Sequence, residues 1–288
     1  MSDDRYELID FGDGRKLESI GGRIVDRPSP AAEGRSRLSR EPWQRADSFF
    51  DAATRSWTHR TPWPSESSLD CGGFRMPIRP TPFGHISLFP EQAPNWDWLA
   101  RRTAQIQGEI QGLNLFGYTG ASTMAMVSGG LPVVHVDAAK PNMQAARLAA
   151  TLNGWQDRPI RYLVDDARKF AAREVRRKRC YHTIVLDPPA YGHGATGAAW
   201  RLARDLWPLL DDCLRLLSGD SFRLLVTGHS HDVDQSDVLQ YLQQNDLMRR
   251  HADSSALRTE VGRSQLKDKQ GRSLDAGFYV RIERLSSS

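Results

Sequence analysis

Leu113-Asn114-Leu115-Phe116-Gly117-Tyr118-Thr119-Gly120 decides the fold. The spacing predicts a strand over Leu113 to Gly117, a turn with glycines at 117 and 120, and a helix over Thr119 to Ser128. The same unit then repeats toward the C-terminus. Strands are expected at Val133 to Asp137, Ile160 to Val164, Thr183 to Asp187 and Phe222 to Thr227. Helices are expected at Lys140 to Leu152, stopping at Asn153-Gly154, at about Ala167 to Arg177, at Trp200 to Leu217 and at Val233 to Gln244. Short apolar strands alternating with amphipathic helices are the pattern of a parallel sheet with crossover helices. The alternation stops at Leu257 to Leu266 and Gly277 to Arg284, two extended runs around Asp268-Lys269-Gln270-Gly271, which read as a closing hairpin. The expected class is therefore α/β, a Rossmann-like sheet ending in an antiparallel hairpin. A dinucleotide dehydrogenase would more often continue with a further βα unit.

Before this repeat the texture differs. Residues 1–90 hold Gly-rich turns, many prolines and short mixed runs such as Tyr6 to Phe11 and Phe83 to Phe89, which read as strands of a small β-rich domain. The domain division expected is thus 1–90 and 91–288. Arg27 to Arg40, rich in Pro, Ser, Gly and Arg, reads as a loop or linker with some mobility. At 288 residues the chain is long enough for one well-cored domain and a smaller one, and 39% hydrophobic with 26% charged residues excludes a disordered chain. No apolar run approaches the ~20 residues that cross a bilayer, and Met1 to Asp10 lacks a signal-peptide core, so the cytoplasm is the expected location, with no membrane partner. Cys71, Cys180 and Cys213 form neither a disulfide framework nor a zinc pattern, and no metal is expected. The net charge is only +4, yet Arg173, Arg176, Arg177, Lys178 and Arg179 crowd one helix end and Arg35, Arg37 and Arg40 one linker. Both clusters suit a polyanion; the helical one also suits a solvated helix C-terminus.

Ligands of open α/β sheets bind at the carboxyl ends of the strands, where Gly117 and Gly120 would let the backbone approach a bound group. Only two of the three dinucleotide glycines are present, which favours the phosphate-free aminoacyl end of S-adenosylmethionine over a pyrophosphate; a plain strand-to-helix turn would use the same residues. Asp137 ends the second strand, where a carboxylate can accept from both ribose hydroxyls or cap the next helix. Asp166 can accept from an adenine amino group while Ala167 donates its N–H, with capping again the alternative and Asp165 a competitor. After the fourth strand come Asp187-Pro188-Pro189-Ala190-Tyr191-Gly192-His193-Gly194. The prolines remove donors and stiffen the loop, leaving Asp187 and nearby carbonyls as acceptors for the edge of a planar base, with Tyr191 to stack on its face. His193 reads as a loop hydrogen-bonder more readily than as a general base.

The run from Leu113 to Gly120, with His135-Val136-Asp137-Ala138, Leu152-Asn153-Gly154 and Asp187-Pro188-Pro189-Ala190-Tyr191-Gly192, resembles the class I methyltransferases that include the large-subunit ribosomal RNA cytosine-C5 and guanine-N7 enzymes. The likeness covers about residues 85–284. It implies that Phe116, Gly117, Tyr118 and Gly120, with Thr119, meet the methionine part of S-adenosylmethionine, that Asp137 and Ala138 hold the ribose, and that Asp166 and Ala167 hold adenine. It also implies that Asp187, Pro188 and Pro189 lie by the transferred methyl, and that Gln92, in Phe89-Pro90-Glu91-Gln92, closes over the cofactor. Two departures stand out: Ala190 replaces the lysine that relatives carry after Asp-Pro-Pro, and Thr227-Gly228-His229-Ser230 holds no cysteine for covalent C5 attack. Cys180 and Cys213 read as buried structural thiols. The function expected is methylation of a ribosomal RNA base by direct transfer, RNA being the partner. The alternatives are a protein or small-molecule methyltransferase, an inactive cofactor-binding module and, as an outsider, a nicotinamide oxidoreductase.

Overall fold

The computed structural model describes residues 4–101, 110–193, 199–217, 221–230, 232–251 and 256–284. Two compact units emerge. The first comprises Met1–Pro94, Thr151–Gly154 and Ser264–Ala276, and the second Asn95–Ala150, Trp155–Arg263 and Gly277–Ser288.

In the first unit, β1 (Tyr6–Gly12), β2 (Arg15–Ile20), β3 (Arg23–Pro28), β4 (Ser48–Asp51) and β5 (Ser56–His59) form a five-stranded sheet in chain order, and α1 (Glu41–Gln44) lies between β3 and β4. A separate ribbon pairs β6 (Ser68–Asp70) with β7 (Arg75–Pro77). One sequence expectation fails here and another is refined. Arg27 to Arg40 is largely a loop, as expected, but anchored at its start: Arg27, Ser29 and Ala32 are buried, and Ser29 N–H donates to the Gly14 carbonyl at 2.8 Å. Arg37 rests on the Trp43 ring at 4.0 Å and pairs with Asp13 at 3.0 Å, while Glu33 to Ser36 and Leu38 to Arg40 are exposed. Phe83 to Phe89, by contrast, is not a strand. It forms a turn and coil in which the His85 carbonyl accepts from Thr81 N–H at 2.8 Å, with Ile86 and Leu88 buried.

The second unit begins within α2 (Ala93–Ala100), at Asn95, and continues with β8 (Gly112–Leu115), α3 (Ala121–Ser128), β9 (Val133–Asp137), α4 (Lys140–Leu152), β10 (Ile160–Val164), α5 (Ala167–Arg176) and β11 (Thr183–Leu186). After β12 (Tyr191–His193) and β13 (Ala199–Arg201) come α6 (Leu202–Leu216), β14 (Phe222–Gly228), α7 (Gln235–Gln244), α8 (Asp246–His251), β15 (Leu257–Lys267) and β16 (Ser273–Arg284). The main sheet runs β10-β9-β8-β11-β14-β16-β15. Its first five strands are parallel and β16 is antiparallel to β14. This is the expected α/β, Rossmann-like sheet with its antiparallel hairpin, and the β-rich sheet near the N-terminus is present as well. Every residue of β8, β11 and β14 is buried, as strands covered on both faces must be. The covering helices bury one stripe each: α5 turns Ala167, Phe170, Ala171 and Glu174 inward at helical spacing.

Three helix starts move. Gly120, at φ 96°, ends the turn, so α3 begins after it and Thr119 is not helical. Trp200 is not helical either: β13 pairs with β12, joining Trp200 to Gly192, before α6 begins. The helix α7 starts at Gln235 rather than Val233, because Asp234 and Asp237 build a reciprocal capping box there.

Candidate functional site

Parallel register brings four strand ends together within the second unit. Leu115 is paired with Val136 and with Leu186, and Val164 with Asp137. The turn Phe116–Gly120, the pair Asp137-Ala138, the corner Asp165–Ala167 and the loop Asp187–Pro189 therefore leave one edge of the sheet side by side. Strand order reverses between β8 and β11, which is where open α/β sheets form their crevice.

The turn after β8 is held in a costly conformation. Phe116 (φ 57°) and Tyr118 (φ 47°) are left-handed without being glycine, as is Gly120 at φ 96°. Three bonds fix it: Gly117 N–H to the Val136 carbonyl at 3.0 Å, Tyr118 N–H to Asp137 Oδ2 at 2.9 Å, and Gly120 N–H to the Gly117 carbonyl at 2.9 Å. Beneath it Asn114 Nδ2 donates to Thr123 Oγ1 at 2.9 Å, and Thr123 meets His135 Nδ1 at 2.8 Å. Burial pushes this imidazole down to about 4, and the Tyr118 backbone offsets part of that. A Cβ at Gly117 would enter the His135 ring, so packing inside the protein by itself calls for glycine there. No side chain caps the first turn of α3, whose N-cap is Gly120.

Asp137 is half-buried. Its Oδ2 takes the Tyr118 bond, while Oδ1 accepts from Ala139 N–H at 2.8 Å and Asn142 Nδ2 at 3.0 Å, so it ties the β8 turn to the start of α4. Asp166 caps α5 through Arg168 N–H at 2.9 Å and pairs with the Arg168 guanidinium at 2.8 Å. Burial raises its carboxyl, but these bonds outweigh burial and hold it below the usual range. Asp165 accepts from Asp166 N–H at 2.8 Å and pairs with Arg173 at 2.5 Å. Ala167 is buried at the head of α5, and Gln92 ends the short turn Pro90–Gln92 of the first unit.

Beyond β11, Asp187 is half-buried, Pro188 buried, Pro189 exposed and Tyr191 70% exposed. Thr227, at the end of β14 and 1% exposed, donates its hydroxyl to Asp187 Oδ1 at 2.6 Å. Trp200 donates its indole N–H to the Pro189 carbonyl at 2.7 Å, and its ring lies 4.8 Å from that of Phe116. Leu202 N–H donates to the Ala190 carbonyl at 3.0 Å. Two carbonyls that the sequence left open for a ligand are thus used inside the protein. Arg168 also reaches Asp205 at 3.3 Å, and Asp205 caps α6 through Arg201 N–H at 2.8 Å, so one ionic chain joins the end of β10 to the base of β13. Sequence inspection passed over Thr227, Trp200, Asp205 and the Asn114–Thr123–His135 chain. Polar Asn114 and His135 inside otherwise apolar strands were the available signal. The His193 side chain and Gly194 lie outside the described residues.

None of the thiols fits a strand-end nucleophile. Cys213 is fully buried in α6 with its pKa pushed up by burial, and Cys180 precedes β11 at the opposite end of that strand. Cys180 is exposed, contrary to expectation, because it ends the exposed run that follows α5, and the chain turns inward only from Tyr181 on. In the first unit, burial pushes Cys71 up to about 12. Among the described residues no cluster of His, Cys, Asp and Glu could hold a metal, and no helix is long and apolar enough to cross a membrane.

A Rossmann-like sheet with an antiparallel end hairpin and acidic residues at successive strand mouths defines the class I methyltransferase type. No known protein-family profile matches the chain. A crystal structure of an S-adenosylmethionine-dependent methyltransferase from Agrobacterium tumefaciens is 32% identical, with a TM-score of 0.85 over 96% of this chain and 90% of that one. At that identity and coverage, the chain belongs to the S-adenosylmethionine-dependent methyltransferases. Ribosomal RNA large subunit methyltransferase K/L of Magnetococcus marinus is 26% identical over 170 residues, 58% of this chain and 23% of that protein. Its namesake from Methylococcus capsulatus is 32% identical over 127 residues, 43% of this chain and 17% of that protein. The chain thus matches less than a quarter of the length of these curated relatives.

Proposed function

We propose that the four strand ends of the second unit bind S-adenosylmethionine, and that the chain methylates a base of ribosomal RNA by direct transfer, without a cysteine nucleophile, in the cytoplasm. The observation that carries this is the parallel register that sets Phe116–Gly120, Asp137, Ala167 and Asp187 along one sheet edge. The substrate reading is supported by the likeness to the ribosomal RNA large subunit methyltransferases.

The donor set suits this cofactor. The uncapped first turn of α3 offers backbone N–H groups to a carboxylate, and the missing third glycine disfavours a pyrophosphate. Asp137 Oδ2 accepts one bond, from Tyr118, which leaves lone-pair capacity for a ribose hydroxyl. Ala167 offers its N–H to adenine; Asp166 must combine any bond to the adenine amino group with its capping of α5. When bound, S-adenosylmethionine supplies an electrophilic methyl group on a sulfonium sulfur. The chain's own work is positioning. Thr227 orients the Asp187 carboxylate, which accepts the N–H of an acceptor nitrogen and so fixes the direction of its lone pair. Trp200 holds the Pro188-Pro189 ledge still through the Pro189 carbonyl, and exposed Tyr191 offers a ring face to the base.

Mass spectrometry of nucleosides from large-subunit ribosomal RNA, with and without the protein in cells, tests the proposal. One methylated nucleoside should disappear and return with the wild-type chain but not with Asp187→Ala. An unchanged nucleoside profile, with labelled methyl entering protein or metabolites instead, refutes the RNA assignment.

A further inference from the structure

We propose that the free edge of the five-stranded sheet in the first unit is a stacking platform for single-stranded RNA, built from Trp57, His59, Trp63 and Phe83. The inference deepens the RNA reading and rests on it. The strand β5 is the last of its sheet. Its Trp57 faces the same side as the paired Phe50 on β4, with ring centroids 5.1 Å apart. Two residues on, His59 lies parallel to Trp57, at 10° and 5.8 Å, and Trp63 follows at 6.0 Å from His59. The turn after Thr81 folds over the near end of this ladder. Trp57 donates its indole N–H to the Thr81 carbonyl at 2.7 Å, and Gly84 packs so closely on Phe50 that a Cβ would strike its ring. That turn lifts Phe83 into solvent.

A ladder that merely sealed the sheet edge would bury its rings. Phe83 is instead 67% exposed, and Trp57, His59 and Trp63 are each only partly covered. Guanidinium groups surround the rings. Arg23 lies over Trp63 at 5.1 Å and donates to the Thr61 carbonyl at 2.9 Å, while Arg55 lies over Phe83 at 5.5 Å. Arg60 donates to the Gln44 carbonyl, and exposed Arg79 stands at the start of the same loop. Among the described residues no carboxylate pairs with any of these four arginines. The charge that the protein leaves uncompensated there is positive and lies beside the exposed ring of Phe83 and three partly covered rings, the combination that binds an unpaired strand through phosphates and stacked bases. A duplex, whose bases are already stacked, could use only the charge.

Binding of the full chain to a fluorescent oligouridylate of about 12 nucleotides, within the usual span of such sites, tests the platform. Fluorescence anisotropy should show Phe83→Ala binding at least about fivefold more weakly, as removal of one stacked base implies. The pair Arg55→Gln and Arg79→Gln should lower the slope of log affinity against log salt by roughly 1.4, about 0.7 for each phosphate of a single strand that is no longer neutralised. Unlabelled duplex RNA should compete less well than the single strand. Melting temperature and calorimetric binding of S-adenosylhomocysteine, measured on the same variants, should match the wild type. No binding by the wild type, unchanged affinity and slope in the variants, or equal competition by duplex overturns the platform. Failure of the wild type to bind S-adenosylhomocysteine would instead strike the cofactor proposal and leave the RNA measurement standing.

Discussion

Gly117→Ala tests how the turn after β8 is built. A Cβ at this position would enter the imidazole of His135, which is fully buried and bonded to Thr123, so the ring has no easy retreat. Overpacking of this kind costs about 1–3 kcal/mol. The φ of Gly117 lies outside the left-handed region, so alanine also stiffens the unfolded chain, a gain of about 0.4–1 kcal/mol that offsets part of the loss. A net destabilisation of about 1–2 kcal/mol is expected in urea unfolding. The bonds that Gly117 and Tyr118 make to Val136 and Asp137 must shift with the backbone, so affinity for S-adenosylhomocysteine should fall together with stability. Removing the obstacle supplies the control. In a His135→Ala background, itself destabilised, the further change Gly117→Ala should cost little, giving a coupling of about 1 kcal/mol or more in a double-mutant cycle. Additivity within about 0.5 kcal/mol would refute the steric account of this glycine.

Other outcomes follow from the same geometry. Burial pushes His135 and His182 down to about 4 each, below the usual value near 6.5, so the unfolded chain takes up protons that the folded one refuses. Their contribution is complete above about pH 6.5 and falls as pH drops toward 4, by on the order of 3 kcal/mol per histidine. Unfolding midpoints between pH 7.5 and 4.5, about the window those values set, should decline for the wild type and less steeply for His135→Asn; parallel curves would contradict the assignment. Thr227→Val keeps the shape of the side chain but removes the hydroxyl that holds Asp187. Such a bond to a charged group is worth about 1.5–3 kcal/mol, so turnover should fall tenfold or more while S-adenosylhomocysteine still binds, and an undiminished turnover would deny Thr227 its positioning role. Cys180→Ser combined with Cys213→Ala should leave methyl transfer intact, whereas its loss without unfolding would reinstate a thiol mechanism.

Strand and helix spacing carried most of the second unit, because strands buried on both faces leave apolar runs such as Ile184 to Leu186 and Leu224 to Val226. The site residues at strand ends were legible for the same reason: once a strand is placed, its last residue is placed. What escaped depends on contacts distant in sequence. The β12–β13 ribbon depends on pairing across a Gly-rich segment, so Trp200 read as helical although its indole bonds to Pro189, 11 residues away. Thr227 meets Asp187 across 40 residues, and nothing local to either marks the pair. Within the loop Arg27 to Arg40, composition does not reveal that Arg37 has both Trp43 and Asp13 to rest against. Asp166 was open between adenine and capping on sequence alone; its bonds to Arg168 show that capping is in place whatever else it does.

A crystal structure of the chain with S-adenosylhomocysteine tests the central claim most directly. The ligand should lie along the sheet edge with its amino-acid end at Phe116–Gly120, its ribose at Asp137, its adenine at Ala167 and its sulfur toward Asp187. A ligand seated elsewhere, or touching one strand end and not the other three, would contradict it.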